Sequence, residues 1–259
     1  MIFDTHIHLN DERLIDNLDE YIRKAKVKGV SYFLCIGYDV ESSKKAVEIA
    51  NKYECVYASV GLIPTEHKQY NENSISELRK IATSSNKVIA IGEIGLDYYW
   101  ENEESIKKTQ KEMFIKQIEL ANELNLPISI HCRDAYGDTL EILKQYKVNN
   151  AGIMHCYSGS YESAVEFIKL GFYIAFGGVL TFKNSVKTKE VLEKIPENYI
   201  VFETDAPYLA PTPYRGKTNL PEYIYETVKY ANEYLNKDIT DIAFYNSLRI
   251  LKLDGKIKN

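Results

Sequence analysis

Apolar positions in this chain gather into short unbroken runs, separated by longer polar stretches with a helical period. The runs cover 2–7 (IFDTHI), 30–36 (VSYFLCI), 55–60 (CVYASV), 88–93 (VIAIGE), 127–131 (PISIH), 151–155 (AGIMH), 172–176 (FYIAF) and 200–205 (IVFETD). They are apolar nearly throughout, as expected of strands covered on both faces. Between them the spacing predicts helices. Within DERLIDNLDEYIRKAKVKG, Leu14, Leu18, Ile22 and Ala25 share one stripe and Gly29 supplies a stop. A longer helix is expected over 103–125, with Phe114, Ile118 and Ala121 on one face and Pro127 beyond its end. Segments around 75–82, 160–170 and 186–195 repeat the pattern.

Eight strands alternating with helices, and no block of strands alone, predict an α/β fold of the (β/α)8 TIM-barrel type. An open doubly wound sheet is the competing arrangement, but no glycine-rich dinucleotide fingerprint follows the first strand. No linker, low-complexity segment or repeat beyond the βα rhythm appears, so residues 1–259 read as one domain.

Polar residues then mark the C-terminal ends of the runs. The first ends at His6 and His8, the fourth at Glu93, the fifth at His131, the sixth at His155 and the eighth at Asp205, which uses four of the chain's five histidines. In a parallel barrel these ends share one face, where active sites are built. Residues i and i+2 of a strand point the same way, so His6 and His8 are placed to grip one ion. A lone histidine at a strand end is usually a hydrogen-bonded core residue; six donor residues on one face are not explained that way. Four imidazoles and two carboxylates exceed one tetrahedral site. They suit two divalent ions, with Glu93 as the bridge and a water between them. Asp205 is suited to bind one ion, to take the proton from that water, or both, so Glu93 and Asp205 are the expected catalytic carboxylates. Zinc, manganese, magnesium or iron would each accept such ligands. The same alternation turns Cys132 and Cys156 away from the histidines, as packing residues.

The remaining composition adjusts this picture only slightly. A net charge of -5 argues against a surface coated in basic residues, while leaving room for a local basic patch. The four cysteines, Cys35, Cys55, Cys132 and Cys156, form no CxxC pair, and no charged segment followed by an apolar one begins the chain. Free thiols in a cytoplasmic protein are expected. No apolar run approaches the roughly 20 residues of a membrane span. No obligate protein partner is called for, and a monomer is expected.

The stretches FDTHIHL, GEIGLDYY, LPISIHCRDA, HCYSG, FGGVLTFK, ETDAPYLAP and YRGKTNLP, in this order, resemble the successive signatures of the TatD family of metal-dependent deoxyribonucleases, from Phe3 to about Asn246. The resemblance implies a (β/α)8 barrel and divalent-metal hydrolysis of DNA phosphodiesters, working from 3′ ends. It assigns the metal ligands to His6, His8, Glu93, His131, His155 and Asp205, the set the strand ends give independently. One departure stands out. The family's V-G-x-H-P motif reads VGLIP here, with Ile63 in the histidine position, and His67 four residues on is expected to lie at the surface. That puts a substrate contact or proton transfer near the third strand in doubt.

Around the mouth, Arg133 lies two residues past His131 and suits a two-pronged phosphate contact, against an ion pair with Asp134. Tyr157 and Ser158 are candidates to hydrogen-bond the same phosphate, or to close a turn with Gly159. Arg215 and Lys217, in a Pro/Gly-rich loop after the eighth strand, and Lys183 are candidates for a local basic patch; Lys187 and Lys189 read as solvated helix charges. Tyr98, Tyr99 or Trp100 could stack on an unpaired base, and Asp97 could orient a ligand histidine. The leading expectation is a two-metal deoxyribonuclease acting on single-stranded DNA ends. A metal-dependent hydrolase of a small ester, amide or aminoacyl ester is the alternative, and a barrel without turnover the third.

Overall fold

In the computed structural model, which describes residues 1–256, eight strands form one parallel sheet in sequence order. They are β1 (Ile2–Ile7), β2 (Val30–Ile36), β3 (Val56–Val60), β4 (Val88–Asp97), β5 (Ile128–Arg133), β6 (Gly152–Met154), β7 (Tyr173–Phe176) and β8 (Ile200–Phe202). Between β1 and β2 lie α1 (Glu12–Ile15) and α2 (Leu18–Val27). Single helices link the next strands: α3 (Val40–Lys52), α4 (Ser74–Ala82), α5 (Glu104–Glu123), α6 (Tyr136–Gln145), α7 (Tyr161–Lys169) and α8 (Val186–Lys194). After β8 come α9 (Ile224–Leu235) and α10 (Thr240–Ile250). The expected TIM barrel is the observed architecture. None of the described helices is long and apolar enough to cross a membrane.

The apolar runs form strands because both faces are covered. Phe33, Ile91, Ile130, Ile174 and Phe176 are all fully buried, each contributing roughly 1.5–3 kcal/mol of transfer free energy. At the N-terminal end of the barrel, Phe3 packs against Tyr32 and Tyr57, and Phe244 of α10 meets Tyr32. Side chains cap some of the helix starts. Asp39 and Ser42 form a reciprocal capping box before α3, and the Ser160 hydroxyl accepts from Ser163 N before α7.

The barrel shuts where β8 meets β1. Asp205 N donates to His6 O at 2.9 Å, and His8 N donates to Ala206 O at 2.8 Å. These bonds fix the backbone of three expected ligand residues against one another.

Local details depart from the sequence reading. The helix expected through 11–29 is two helices, because Asn17 leaves helical geometry (φ -126, ψ 26) between them. Strand β4 runs on to Asp97 and β5 to Arg133, whereas β6 stops at Met154 and β8 at Phe202. His155 and Asp205 therefore stand on loops just past their strands. β4 and β5 approach closely because Gly95, at φ +143, carries no Cβ to strike the His131 carbonyl oxygen.

Candidate metal centre

The strand ends bring the six expected donors together. His6 Nε2 lies 3.4 Å from Glu93 Oε2 and 3.8 Å from Asp205 Oδ1. His8 Nε2 lies 3.4 Å from Asp205 Oδ1 and 4.0 Å from Glu93 Oε2. Across the mouth, His131 Nδ1 is 2.9 Å from Glu93 Oε1, and His155 Nε2 is 3.8 Å from that oxygen and 3.9 Å from Asp205 Oδ1. The rings of His6 and His155 stack at 3.4 Å. Donor atoms of His6, His8 and Glu93 fall within 4.8 Å of one another, and so do those of Glu93, His131 and His155.

This donor set fits a divalent cation. His6 is fully buried, yet its Nε2 has no hydrogen-bond partner among the described residues. A buried polar atom left so costs about 1–3 kcal/mol, and a cation accepting its lone pair removes that cost. Mixed imidazole and carboxylate donors are the chemistry that such ions take.

Behind the donors stands a further layer. Asp97 Oδ2 lies 2.8 Å from His131 Nε2 and Glu203 Oε1 lies 2.9 Å from His155 Nδ1, so each ring carries a carboxylate on the side away from Glu93. His6 Nδ1 faces the Ser129 hydroxyl at 3.4 Å. Asp97 was foreseen in this orienting role. Glu203 was not, although it precedes Asp205 by two residues, the same-face spacing that singled out His6 and His8. Asp4 lies beneath the site, fully buried, accepting hydrogen bonds from the Thr204 amide and hydroxyl at 2.9 and 2.7 Å.

Charge within the cluster is strongly coupled. Burial opposes charge on His131, but Asp97 and Glu93 outweigh it and lift the ring to about 9. Burial likewise opposes charge on His155, and Glu203 with Asp205 lifts it to about 10. Glu93 is held well below the usual carboxylate range: burial resists ionisation, and His6 and His131 overcome it. Asp205 is lowered too, burial being outweighed by His155 and by the hydrogen bond with His8. Asp4 goes the other way, pushed up to about 8 by burial. In the metal-free protein, protons on His131 and His155 occupy the electrostatic place that cations would take, while burial and His155 lower His6.

Above the donors opens a cleft of about 430 Å³, lined also by Tyr38, Ile63, Thr65, Glu66, Trp100, Arg133, Tyr208 and Leu209. Its size suits a small ligand or one nucleotide. Arg133 lies at its rim with the guanidinium 3.8 Å over the Tyr99 ring and 5.4 Å from Trp100. It forms a cation–π stack and no ion pair with Asp134.

Three expected substrate contacts lie elsewhere. The Tyr157 ring is buried against Tyr136 and Phe167, with its hydroxyl donating to Ser160 O at 2.8 Å. The Ser158 hydroxyl pairs with Tyr136 at 3.0 Å, and Arg215 covers Phe182 at 4.3 Å. None of the three lines the cleft. The chain turns at the strand end, so neighbours in sequence of a mouth residue need not face the mouth. His67 does not line it either, while Ile63 does. Cys132 packs inside, its Sγ 3.3 Å from the Thr139 hydroxyl. Cys156 contradicts its expected outward direction: its Sγ shares a group with His155 and Asp205 donor atoms, because a backbone with φ +43 breaks the strand alternation there.

Known proteins bear on this geometry. The family model described as TatD-related DNase matches residues 3–252. A Bacillus subtilis protein described as an uncharacterized metal-dependent hydrolase, YabD, is 41% identical over 98% of this chain and 100% of its own length. The 3′-5′ ssDNA/RNA exonuclease TatD of Cronobacter sakazakii is 32% identical over 92% of this chain and 91% of that protein. Among solved structures, the TatD homolog YjjV of Escherichia coli K12 superposes with a TM-score of 0.90 at 26% identity, covering 96% of this chain and 97% of its own. Matched along nearly its whole length in both sequence and fold, the chain belongs to the TatD-related DNase family and is a metal-dependent hydrolase acting on ester bonds.

Proposed function

We propose that this chain is an exonuclease that trims single-stranded DNA from its 3′ ends, using two divalent cations held by His6, His8, Glu93, His131, His155 and Asp205. The observation that carries the two-cation reading is Glu93, whose carboxylate belongs both to the group with His6 and His8 and to the group with His131 and His155. When bound, such ions supply Lewis acidity at the phosphate and a water acidic enough to attack near neutral pH. The protein's own groups account for the rest. Asp97 and Glu203 orient the rings of His131 and His155. Asp205, kept ionised by its histidine neighbours, takes the proton released by the attacking water on a carboxylate oxygen. Arg133, with no ion pair among the described residues, turns its fork toward the scissile phosphate and offsets charge developing there. Trp100, 66% exposed at the rim, offers a face on which a terminal base stacks. The relative described as a 3′-5′ ssDNA/RNA exonuclease supports this substrate class.

One feature favours a second reading. The third-strand wall of the cleft presents Ile63 and the carboxylate of Glu66 in place of a phosphate-binding group, a lining suited to a small uncharged or amine-bearing ester, such as an aminoacyl ester.

The test is purified protein on 3′-labelled single-stranded DNA, duplex DNA and RNA, with and without chelator, beside His131→Ala and Asp205→Asn. Stepwise metal-dependent shortening that both variants lose is the expected result. Intact DNA together with turnover of a simple ester would move the assignment to the second reading.

A further inference from the structure

Among the described residues, two charged side chains line the cleft that are neither metal donors nor groups backing them: Arg133 and Glu66. Arg133 ends β5, Glu66 follows β3 in the turn Pro64–Gln69, and Trp100 follows β4 between them. Along neighbouring strands the rim therefore runs cation, indole, carboxylate. A nucleotide at the 3′ end of a strand has the same order: the scissile phosphate on its 5′ side, then its base, then a free hydroxyl on its 3′ side. With the phosphate at Arg133 and the base on Trp100, that hydroxyl falls on the Glu66 side.

Both rim positions are set by buried bonds. Gln117 of α5, buried, accepts from Leu62 N at 2.7 Å and donates to Leu62 O at 3.0 Å, and Ile63 N donates to Tyr38 O at 2.8 Å. These bonds pin the chain that carries Glu66. The amides of Tyr99 and Trp100 donate to Asp97 Oδ1 at 3.0 and 3.1 Å. Among the described residues the Glu66 carboxylate accepts from one group only, the neutral amide of Gln69, Nε2 to Oε2 at 2.6 Å. Its charge meets no lysine or arginine, so it stays available to whatever enters the cleft.

We infer that Glu66 selects the chemistry of the strand end, accepting a hydrogen bond from a terminal 3′-hydroxyl and repelling a terminal 3′-phosphate, an assignment that rests on the exonuclease reading above. Like charges in a partly enclosed cleft oppose each other more strongly than in bulk water, and placing a charge against the wrong group is one of the two routes to specificity. Repeated trimming then requires a particular bond to be cut. The oxygen of water joins phosphorus, the bond from phosphorus to the 3′ oxygen of the preceding nucleotide breaks, and that oxygen takes up the proton. Each turnover thus releases a 5′-monophosphate and renews a hydroxyl end. Cleavage on the other side of the phosphorus would leave a 3′-phosphate and stall the enzyme after one step.

The test uses the full chain supplied with divalent metal and three internally labelled single strands of one sequence. The first ends in a 3′-hydroxyl, the second in a 3′-phosphate, and the third has a 3′-hydroxyl and a 5′-phosphate, which matches the second in charge. Both hydroxyl-ended strands are expected to shorten at least about 10-fold faster than the second, releasing 5′-monophosphates, and Glu66→Gln should close most of that gap. Equal rates on the three strands, or a gap that Glu66→Gln leaves unchanged, overturns the role of Glu66 and leaves the exonuclease standing. No shortening of any strand, with turnover of a simple ester, overturns the exonuclease reading and the end selection with it. Should Glu66→Gln not fold, fluorescence of Trp100, the chain's only tryptophan, decides the matter in the unmodified, chelated protein, where strands stay intact. Quenching at lower concentration by the hydroxyl-ended strands, with a difference that shrinks as salt is added, is expected. Equal quenching by all three refutes the selection.

Discussion

The two halves of the mouth hold their imidazoles by different means. On the β5–β6 side each ring is backed by a carboxylate, Asp97 for His131 and Glu203 for His155. On the β1 side His6 Nδ1 faces a hydroxyl at 3.4 Å, and among the described residues no carboxylate lies behind His8 Nδ1 as Glu203 lies behind His155 Nδ1. A carboxylate behind an imidazole fixes its orientation and raises its basicity. The β5–β6 half is thus preorganised by side chains, while the β1 half relies on the seam bonds that fix its backbone. A cation held by the β1 pair should therefore exchange faster than one held across the mouth.

The largest effect should come from the group the two halves share. Glu93→Gln keeps the shape and removes the charge, and hydrolysis is expected to fall by about 10³-fold or more. Elemental analysis should show loss of metal from both halves, whereas His8→Ala should deplete the β1 half alone. A Glu93→Gln protein that still held one full equivalent would mean the halves bind independently.

Next come the backing groups, which test the comparison directly. Asp97→Asn and Glu203→Gln are each expected to cost about 10- to 100-fold in metal affinity or activity. Ser129→Ala, on the weaker side, should cost less than either, because a hydroxyl 3.4 Å away contributes little to holding the His6 ring. Metal titration of the three variants checks the order, and equal losses would erase the asymmetry.

Much of this was readable from the chain. Continuous apolar runs gave strands covered on both faces, and their polar C-terminal residues gave the donor cluster, because a parallel barrel gathers those ends by construction. Glu203 stands two residues before Asp205, the same spacing that pairs His6 with His8, and is legible on that ground. Tyr157, Ser158 and Arg215 show the limit of that reasoning. Beyond a strand's last hydrogen bond its alternation no longer holds, so adjacency to His155 did not carry Tyr157 to the mouth. Cys156 is the opposite case, drawn inward by a local backbone turn that composition does not encode.

Acidity offers a further contrast, between metal-free and loaded protein. His131 and His155 are raised from 6.5 to about 9 and about 10. A raised histidine stabilises the fold fully below the unfolded value and loses that contribution as pH climbs through the folded value. Asp4, raised from 3.8 to about 8, destabilises the fold progressively between those values, in the same direction. Through His131 and His155 the chelated protein should therefore lose stability between about pH 6.5 and 10, with Asp4 adding to the loss up to about pH 8. Each kcal/mol lost lowers Tm by roughly 2–4 °C at this size. With cations bound the ligand imidazoles are already neutral and the decline should be much shallower. Thermal melts across that range, with and without chelator, check the sign. A decline of equal slope in both states would mean the imidazoles do not exchange protons for metal.

The smallest expected effect lies on the third-strand wall, outside both halves. Ile63 lines the cleft at the position where the V-G-x-H-P motif of the resembled family has a histidine, and no polar atom of its side chain is available to a phosphate. Ile63→His restores one hydrogen-bonding group in a position already half-buried and facing the site. One such bond contributes about 0.5–1.5 kcal/mol, so turnover of single-stranded DNA should rise by about 2- to 12-fold. Activity on a simple ester should change little, since an ester presents no extra phosphate oxygen to that wall. Steady-state rates on both substrates separate the outcomes. A gain on DNA alone places the phosphate against β3 and leaves the metal halves as described. A gain on the ester alone would instead show that the Ile63 wall had been restricting the approach of a smaller substrate.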